Sequence, residues 1–281
     1  MGAVAAIMTL TLKEAMRRRA FLGTLIILVV LYGLSFLPKA FHEAFGGSER
    51  RFELGIQLMT SFGIDSIKFF ASVLAIVLSA GAITGEIERG YLAAILPRPL
   101  HRWQVYLGKW LGVMVFCAVN VVLWSAMLWL SVYLQGRSRP EIWHALPYVL
   151  LYPVLYGTLA LMFSSFAGTS VALMFTVALG AFAYFADHFL RPLVVFIDAA
   201  ILQRIVWLSE WVLPMATLKR FVMAEVRLPF TGRIEDAPFA SEAVRFFLNP
   251  PTRAWELGYV ALYILVALLI GGIIFQRRDV Q

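Results

Sequence analysis

At 281 residues, 61% of them hydrophobic and only 15% charged, with a mean hydropathy of +0.80, the chain is too apolar for a soluble globular domain, where charged residues make up about a quarter of the total. It has one cysteine, Cys117, which excludes an intrachain disulfide and a cysteine-built metal site. The net charge of +7 is spread around apolar runs instead of being gathered on one face, which points to lipid headgroups and topology and away from nucleic acid.

The chain reads as an all-α integral membrane protein. Its opening stretch, MGAVAAIMTLTLKEAMRRRA, sets Met8, Leu12, Ala15 and Met16 at helical spacing, with Lys13, Glu14, Arg17 and Arg18 turned to the other side. That pattern predicts an amphipathic helix over 1–19 lying in the membrane interface. The charges follow the apolar patch instead of preceding it, unlike a cleavable signal. A hydrocarbon core about 30 Å thick needs about 20 apolar residues as helix, and six segments qualify: 20–37, 67–84, 105–134, 146–166, 170–189 and 257–275. SSFAGTS, 164–170, leaves only a tight turn between the fourth and fifth.

Between the second and third spans lies GEIERGYLAAILPRPLHRWQ, 85–104. The second span is expected to continue as helix to about Leu96, with Glu86 and Arg89 able to pair at i, i+3. Pro97 and Pro99 then stop it, because proline cannot continue the hydrogen-bond ladder and forces the preceding residue into an extended conformation. The product is a short, stiff, charged elbow continuous with two spans. Gly108 and Gly112 form a small-xxx-small pair at the start of the third span, the pattern of close helix packing, and Asn120 is the clearest polar residue at depth, expected to bond from helix to helix.

The connector 190–256 is the largest piece between spans. Within it, LVVFIDAAILQRIVWLSEWVL (193–213) is nearly apolar enough to cross, but Asp198, Gln203, Arg204 and Glu210 interrupt it. Charges are costly inside a bilayer, so it reads as a re-entrant or surface-lying hairpin with Trp207, Glu210 and Trp211 at interface depth; a seventh span is the alternative. Short helices are expected over 219–226 and 241–248. Basic residues are retained in the cytoplasm. With the N-terminus inside, the cytoplasmic segments hold Lys13, Arg17, Arg18 and Arg19, then Arg89, Arg98, Arg102 and Lys109, then Arg277 and Arg278. Both termini are then cytoplasmic, and 190–256 becomes an extracytoplasmic cap.

Catalytic motifs are missing. Gly85 and Gly90 have the glycine spacing of a phosphate loop, but Tyr91 and Leu92 stand where lysine and a hydroxyl residue are required. There is no H-E-x-x-H, no G-x-S-x-G around Ser164, Ser165 or Ser170, and His42, His101, His144 and His188 are far apart. No catalytic residue and no metal ligand is assigned, and the chain is not expected to be an enzyme.

The run E-x-E-R-G, six residues, P-R-P-L-x-R, five residues, G-K, from Glu86 to Lys109, resembles the segment after the second span in the ABC-2 family of ABC-transporter membrane subunits. The amphipathic N-terminus, six spans, long connector before the last span and the ending Phe275, Arg277, Arg278, Asp279 are similar as well. Tyr91 stands where that family commonly has threonine, and His101 where it often has serine. The resemblance implies a permease subunit of an ATP-driven transporter, in export more than import. It implies that the elbow docks on a separate cytoplasmic ATPase, with Glu86, Glu88, Arg89 and Gly90 in the docking surface and Pro97, Arg98, Pro99 and Arg102 holding the corner. Two ATPase copies binding ATP and magnesium, a second permease subunit forming a homodimer or heterodimer, a bacterial inner membrane and an exit gate at the outer hairpin complete that expectation; this chain itself would hold no cofactor. A stand-alone secondary carrier and an ABC-2-like assembly or sensor protein that moves no substrate are the alternatives.

Overall fold

The computed structural model describes residues 2–17, 19–87, 101–197, 200–226 and 252–277, and all regular structure among them is helical. The helices are α1 Ala3–Arg17, α2 Arg19–Leu34, α3 Leu37–Phe45, α4 Glu49–Ile87, α5 Arg102–Leu134, α6 Glu141–Ser164 and α7 Thr169–Phe185. A π-helical turn, Ala186–Leu190, then leads into α8 Arg191–Phe196, α9 Ala200–Val212, α10 Met215–Val226 and α11 Ala254–Arg277. Six stretches are long and apolar enough to cross a membrane: Leu22–Phe45, Glu49–Gly85, Arg102–Leu134, Glu141–Ser164, Thr169–Val194 and Ala254–Arg277.

Burial sorts these six into two sets. The apolar windows of α4, α5 and α6 are 61, 56 and 56% buried, against 17, 22 and 28% for those of the first, fifth and sixth spans. The middle three therefore form the core, and the others are applied to it with their outer faces apolar, as lipid-facing helices are. Small residues let the core close up. A Cβ on Gly157 of α6 would stand 2.5 Å from Met114 Cε and 3.2 Å from Ala75 Cβ, and one on Gly63 would stand 2.7 Å from Leu128 Cδ1.

The second span corrects the sequence-based boundary. Its helix begins at Glu49, not near residue 67, and runs 39 residues, about 58 Å at 1.5 Å per residue. Hydropathy misses the first half because ERRFELGIQLMTSFGI is amphipathic, with Ile56, Thr60 and Ile64 buried while Leu54, Leu58 and Phe62 are exposed. Arg137 reaches back to Glu49 at 2.6 Å and Glu53 at 3.1 Å, and Arg139 also pairs with Glu53, so the start of α4 is stapled to the α5–α6 loop. A helix this long exceeds the hydrocarbon thickness and must tilt or project beyond it. Gly46, in the left-handed region with φ of 62°, separates α3 from α4.

The first two helices have a placement that no local pattern reveals. α1 and α2 run alongside α5 in the same direction. A Cβ on Gly108 would lie 2.7 Å from Ile7 Cβ and 3.1 Å from the carbonyl oxygen of Val4; on Gly112 it would lie 2.6 Å from Thr11 Cβ and 2.9 Å from the carbonyl oxygen of Met8. Farther along, Trp124 Nε1 donates to the carbonyl of Thr24 (3.3 Å) and Gln135 Nε2 to that of Ser35 (2.9 Å). Ala15 joins Val113, Phe116 and Cys117 in a small apolar cluster. Asn120 does not bridge helices as expected: its Nδ2 donates to the carbonyl of Phe116 on its own helix, 2.8 Å away. In an apolar setting the i−4 carbonyl is the nearest acceptor, and it satisfies the amide without a partner helix.

Because the close atoms at Gly112 include α1 backbone, Gly112→Leu should overpack the α1–α5 contact by about 1–3 kcal/mol and lower the thermal unfolding midpoint in detergent. Gly33→Leu, where an added Cβ meets nothing within 4 Å, should leave the midpoint unchanged in the same assay.

Candidate functional site

Beside the cluster of Arg137 and Arg139 with Glu49 and Glu53, two places among the described residues concentrate polar chemistry, one at each end of the bundle. At the end carrying the connector between α4 and α5, the helix ends are fastened to one another. Lys109 is 5% exposed, and its ammonium donates to the carbonyl of Ala82 on α4 at 2.5 Å. Arg102 Nη1 donates to the carbonyl of Gln276 near the end of α11 at 3.2 Å. Ser164 Oγ donates to the carbonyl of Ala80 at 2.8 Å, and Thr84 Oγ1 lies 3.2 Å from Ser164 Oγ and 2.8 Å from Thr169 Oγ1. Tyr106, Ile83, Leu161 and Phe275 fill the space between. At α5's start, the His101 backbone N–H donates to Gln104 Oε1 at 3.3 Å, so a glutamine at the third helical position reaches back to the capping residue.

Of the predicted elbow residues, Arg102 opens α5 and Glu86 sits in the last turn of α4; Glu88, Arg89, Gly90, Pro97, Arg98 and Pro99 lie outside the described residues. Gly108 and Gly112 face α1, as given above.

At the other end, 193–213 is not one helix. α8 ends at Phe196, Ile197 is extended (φ −122°, ψ 103°), and α9 is 13 residues long. At about 20 Å it is too short to cross a hydrocarbon core of about 30 Å, which removes the seventh-span alternative. α9 and α10 meet at Leu213–Pro214 and form a hairpin that enters the bundle. Tyr156 OH lies 3.1 Å from Met215 Sδ. Tyr156 is 15 residues into α6, so the hairpin tip reaches about 22 Å down that helix. Tyr259 and Tyr263 of α11 donate to the carbonyls of Trp211 (2.5 Å) and Val212 (2.7 Å). Trp207 and Trp211 face outward, ring centroids 5.7 Å apart. The expected helix 219–226 is the later part of α10, while 241–248 falls outside the described residues.

Above the tip, six charges alternate in sign. Lys219 Nζ is 2.8 Å from Asp187 Oδ2, whose other oxygen is 2.9 Å from Arg191 Nε. Arg191 also pairs with Glu210; the same Glu210 oxygen is 3.4 Å from Arg220 Nη1, and Arg220 Nη2 is 3.1 Å from Glu256 Oε2. The chain Lys219, Asp187, Arg191, Glu210, Arg220, Glu256 thus ties the π-turn, α8, α9, α10 and α11 together. Asp187 and Arg191 are both under a tenth exposed. His188 stacks on Tyr184 at 3.9 Å, with its Nε2 3.3 Å from Lys219 Nζ.

The sequence model of the family described as ABC-2 family transporter protein matches residues 5–280, nearly the whole chain. The chain belongs to the ABC-2 transporter family. It is accordingly a multi-pass membrane component of an ABC transporter. No curated protein matches it at a significant level.

Glu210 was the only member of this ABC-2 chain's ion network picked out from sequence. Asp187, Arg191, Lys219, Arg220 and Glu256 were missed, although Asp187 and Arg191 carry a readable signal: opposite charges at i, i+4 at the end of an apolar span. The other partners are brought in by the hairpin's return, which no local spacing reports.

Removing a member of the ion chain loosens it without isolating a charge. Arg191→Met leaves Asp187 with Lys219 and Glu210 with the more distant Arg220, and should destabilise the protein by about 1.5–3 kcal/mol, the worth of a charged hydrogen bond. Lys39→Met, in an exposed i, i+4 pair with Glu43 at 3.9 Å, should shift stability by under about 1 kcal/mol. Thermal unfolding in a common detergent compares the two.

Proposed function

We propose that the chain is the membrane-spanning permease subunit of an ATP-driven exporter, set in a bacterial inner membrane with both termini cytoplasmic. Its work comes from a separate ABC ATPase, present in two copies that bind ATP and magnesium, acting on the connector 85–104. A second permease subunit completes the pathway. The observation that carries this reading is the family match over residues 5–280. The sequence adds its support: it has no lysine and hydroxyl residue after Gly85–Gly90 to hold a phosphate, so hydrolysis falls to a partner.

The geometry at the connector end fits that role. Lys109 fastens the foot of α5 to α4, and Arg102 fastens it to α11, so a push on the connector is delivered to three spans together instead of being lost in a loose loop. Glu86, Glu88, Arg89 and Gly90 are the proposed docking residues, with Pro97, Arg98, Pro99 and Arg102 as the corner. The hairpin at the opposite end, with Trp207, Glu210 and Trp211, is the proposed exit gate.

Purification from the native membrane in mild detergent tests the reading. The wild-type chain should bring an ATPase with it, and Glu86→Lys/Glu88→Lys should lose that partner while retaining its own thermal unfolding midpoint. A wild-type preparation with no copurifying ATPase activity would overturn the coupled-permease assignment.

A further inference from the structure

The six-charge chain does not grip the two arms of the hairpin equally. α10 buries Met215, Leu218 and Val222 in the main core and stacks Phe221 on Tyr148 at 5.3 Å. It also carries two ion pairs of its own, Lys219 to Asp187 and Arg220 to Glu256. α9 buries only Val206 and Ser209 and turns Ile201, Trp207, Leu208 and Trp211 outward. Among the described residues, the ion pairs of α9 all run through one carboxylate, Glu210, to Arg191 and Arg220.

Glu210 is therefore a special link. With it detached, no charge is stranded: Arg191 keeps Asp187 at 2.9 Å, and Arg220 keeps Glu256 at 3.1 Å. The chain parts into two groups, each still holding α10, while the ion pairs that tie α9 to them are lost and its last turn stays bonded to Tyr259 and Tyr263. Glu210 is also among the less buried members, its side chain 25% exposed against 5% for Asp187 and 9% for Arg191, so water can take over its hydrogen bonds as it leaves.

Joints flank the same arm. Toward its start lie the extended Ile197 and, one short helix earlier, the π-turn Ala186–Leu190; π-turns interrupt helices and recur at functional positions. At its far end, just before the Leu213–Pro214 turn, the Trp211 and Val212 carbonyls of its last turn are pinned by the hydroxyls of Tyr259 and Tyr263. The pinned end is the pivot and the end near residue 200 is the one that can swing.

We propose that α9 is the moving arm of the hairpin and α10 its fixed arm, with the Glu210 carboxylate as the catch between them. The proposal rests on the permease reading, in which this hairpin is the gate. Opening then requires one carboxylate to exchange two guanidinium partners for water, with the buried face of α10 left undisturbed.

The test uses the full chain in lipid nanodiscs, with Cys117→Ser removing its only cysteine and a single new cysteine at Val206 on α9 or at Leu218 on α10. A water-soluble maleimide reports each site's exposure over time. Val206→Cys should react faster than Leu218→Cys with Glu210 intact, and Glu210→Gln should accelerate Val206→Cys by about tenfold, corresponding to about 1.4 kcal/mol of lost restraint, with Leu218→Cys unchanged. Equal acceleration at both sites would mean that the hairpin loosens as a unit, and no acceleration at either would mean that Glu210 is not the catch; each overturns the proposal. If the Glu210 variant does not fold, the ratio of the two rates in the intact chain decides, and equal rates overturn it. Labelling is measured on the chain alone, so failure to capture an ATPase would remove the permease reading without altering this result.

Discussion

A bilayer offers no water to its interior, so polar groups buried among these helices have to be answered by the protein, and the arrangement of the chain follows from how they are answered. Lys109 is met by the carbonyl of Ala82, Ser164 by that of Ala80, and Trp124 Nε1 by that of Thr24. Each such bond joins two different helices. Where a charge has no carbonyl to turn to, it is set against an opposite charge, and that rule lengthens into the six-member chain at the hairpin. Apolar packing brings the helices together, but lipid tails are as apolar as the core, so polar bonds and close backbone approach decide which helix meets which.

Close approach explains the path of the first two helices. α1 is too weakly apolar to be held by burial alone; Gly108 and Gly112 let its backbone come within reach of α5, and the contact is continued along α2 by the indole of Trp124 and the amide of Gln135. The result is a parallel arrangement in which the first two helices follow one face of the third span. A single substitution at either glycine acts on that placement, since the clash it creates is partly with backbone that has no rotamer to change.

Much of the core was legible in the sequence and most of the polar site was not, for one physical reason. Apolar runs of spanning length report burial in lipid directly, so the third span's end at Leu134 and the existence of all six spans could be read from hydropathy. Glu49 to Ser66 was missed as helix because it is amphipathic, half covered by α3 and the α5–α6 loop, and a window average cannot distinguish such a segment from a polar loop. Gly108 and Gly112 announced close packing, but nothing in their spacing names α1 as the neighbour. Asn120 looked like an interhelical donor by depth, yet its own helix supplied an acceptor one turn back. In the charge chain, Asp187 and Arg191 lie one turn apart and could have been paired by eye; Glu210, Lys219, Arg220 and Glu256 meet them because the hairpin folds back into the bundle, which is a tertiary fact.

More than one helix reaches both polar sites, the last span among them. α11, 24 residues and so about 36 Å long, has the carbonyl of Gln276 held by Arg102 at the connector end, and Glu256, Tyr259 and Tyr263 engaged with the hairpin at the other. Its interior is unbroken helix lacking proline, with Val260, Ile264 and Ala267 packed in the main core, so it resists bending and transmits displacement along its length. Glu256 reaches α10 through Arg220, whereas Tyr259 and Tyr263 hold the end of α9 at the tip. A shift of α11 relative to α6 therefore acts on the two arms at different points: it carries the pivot of α9 directly, while α10 is restrained by its packing on Tyr148 and Tyr156. That difference bears on Glu210, the carboxylate that spans both arms. A hairpin fastened at its tip to one span and along one arm to another can convert sliding between those spans into separation of its arms, and the sharing of one carboxylate between Arg191 and Arg220 makes that the place where separation begins.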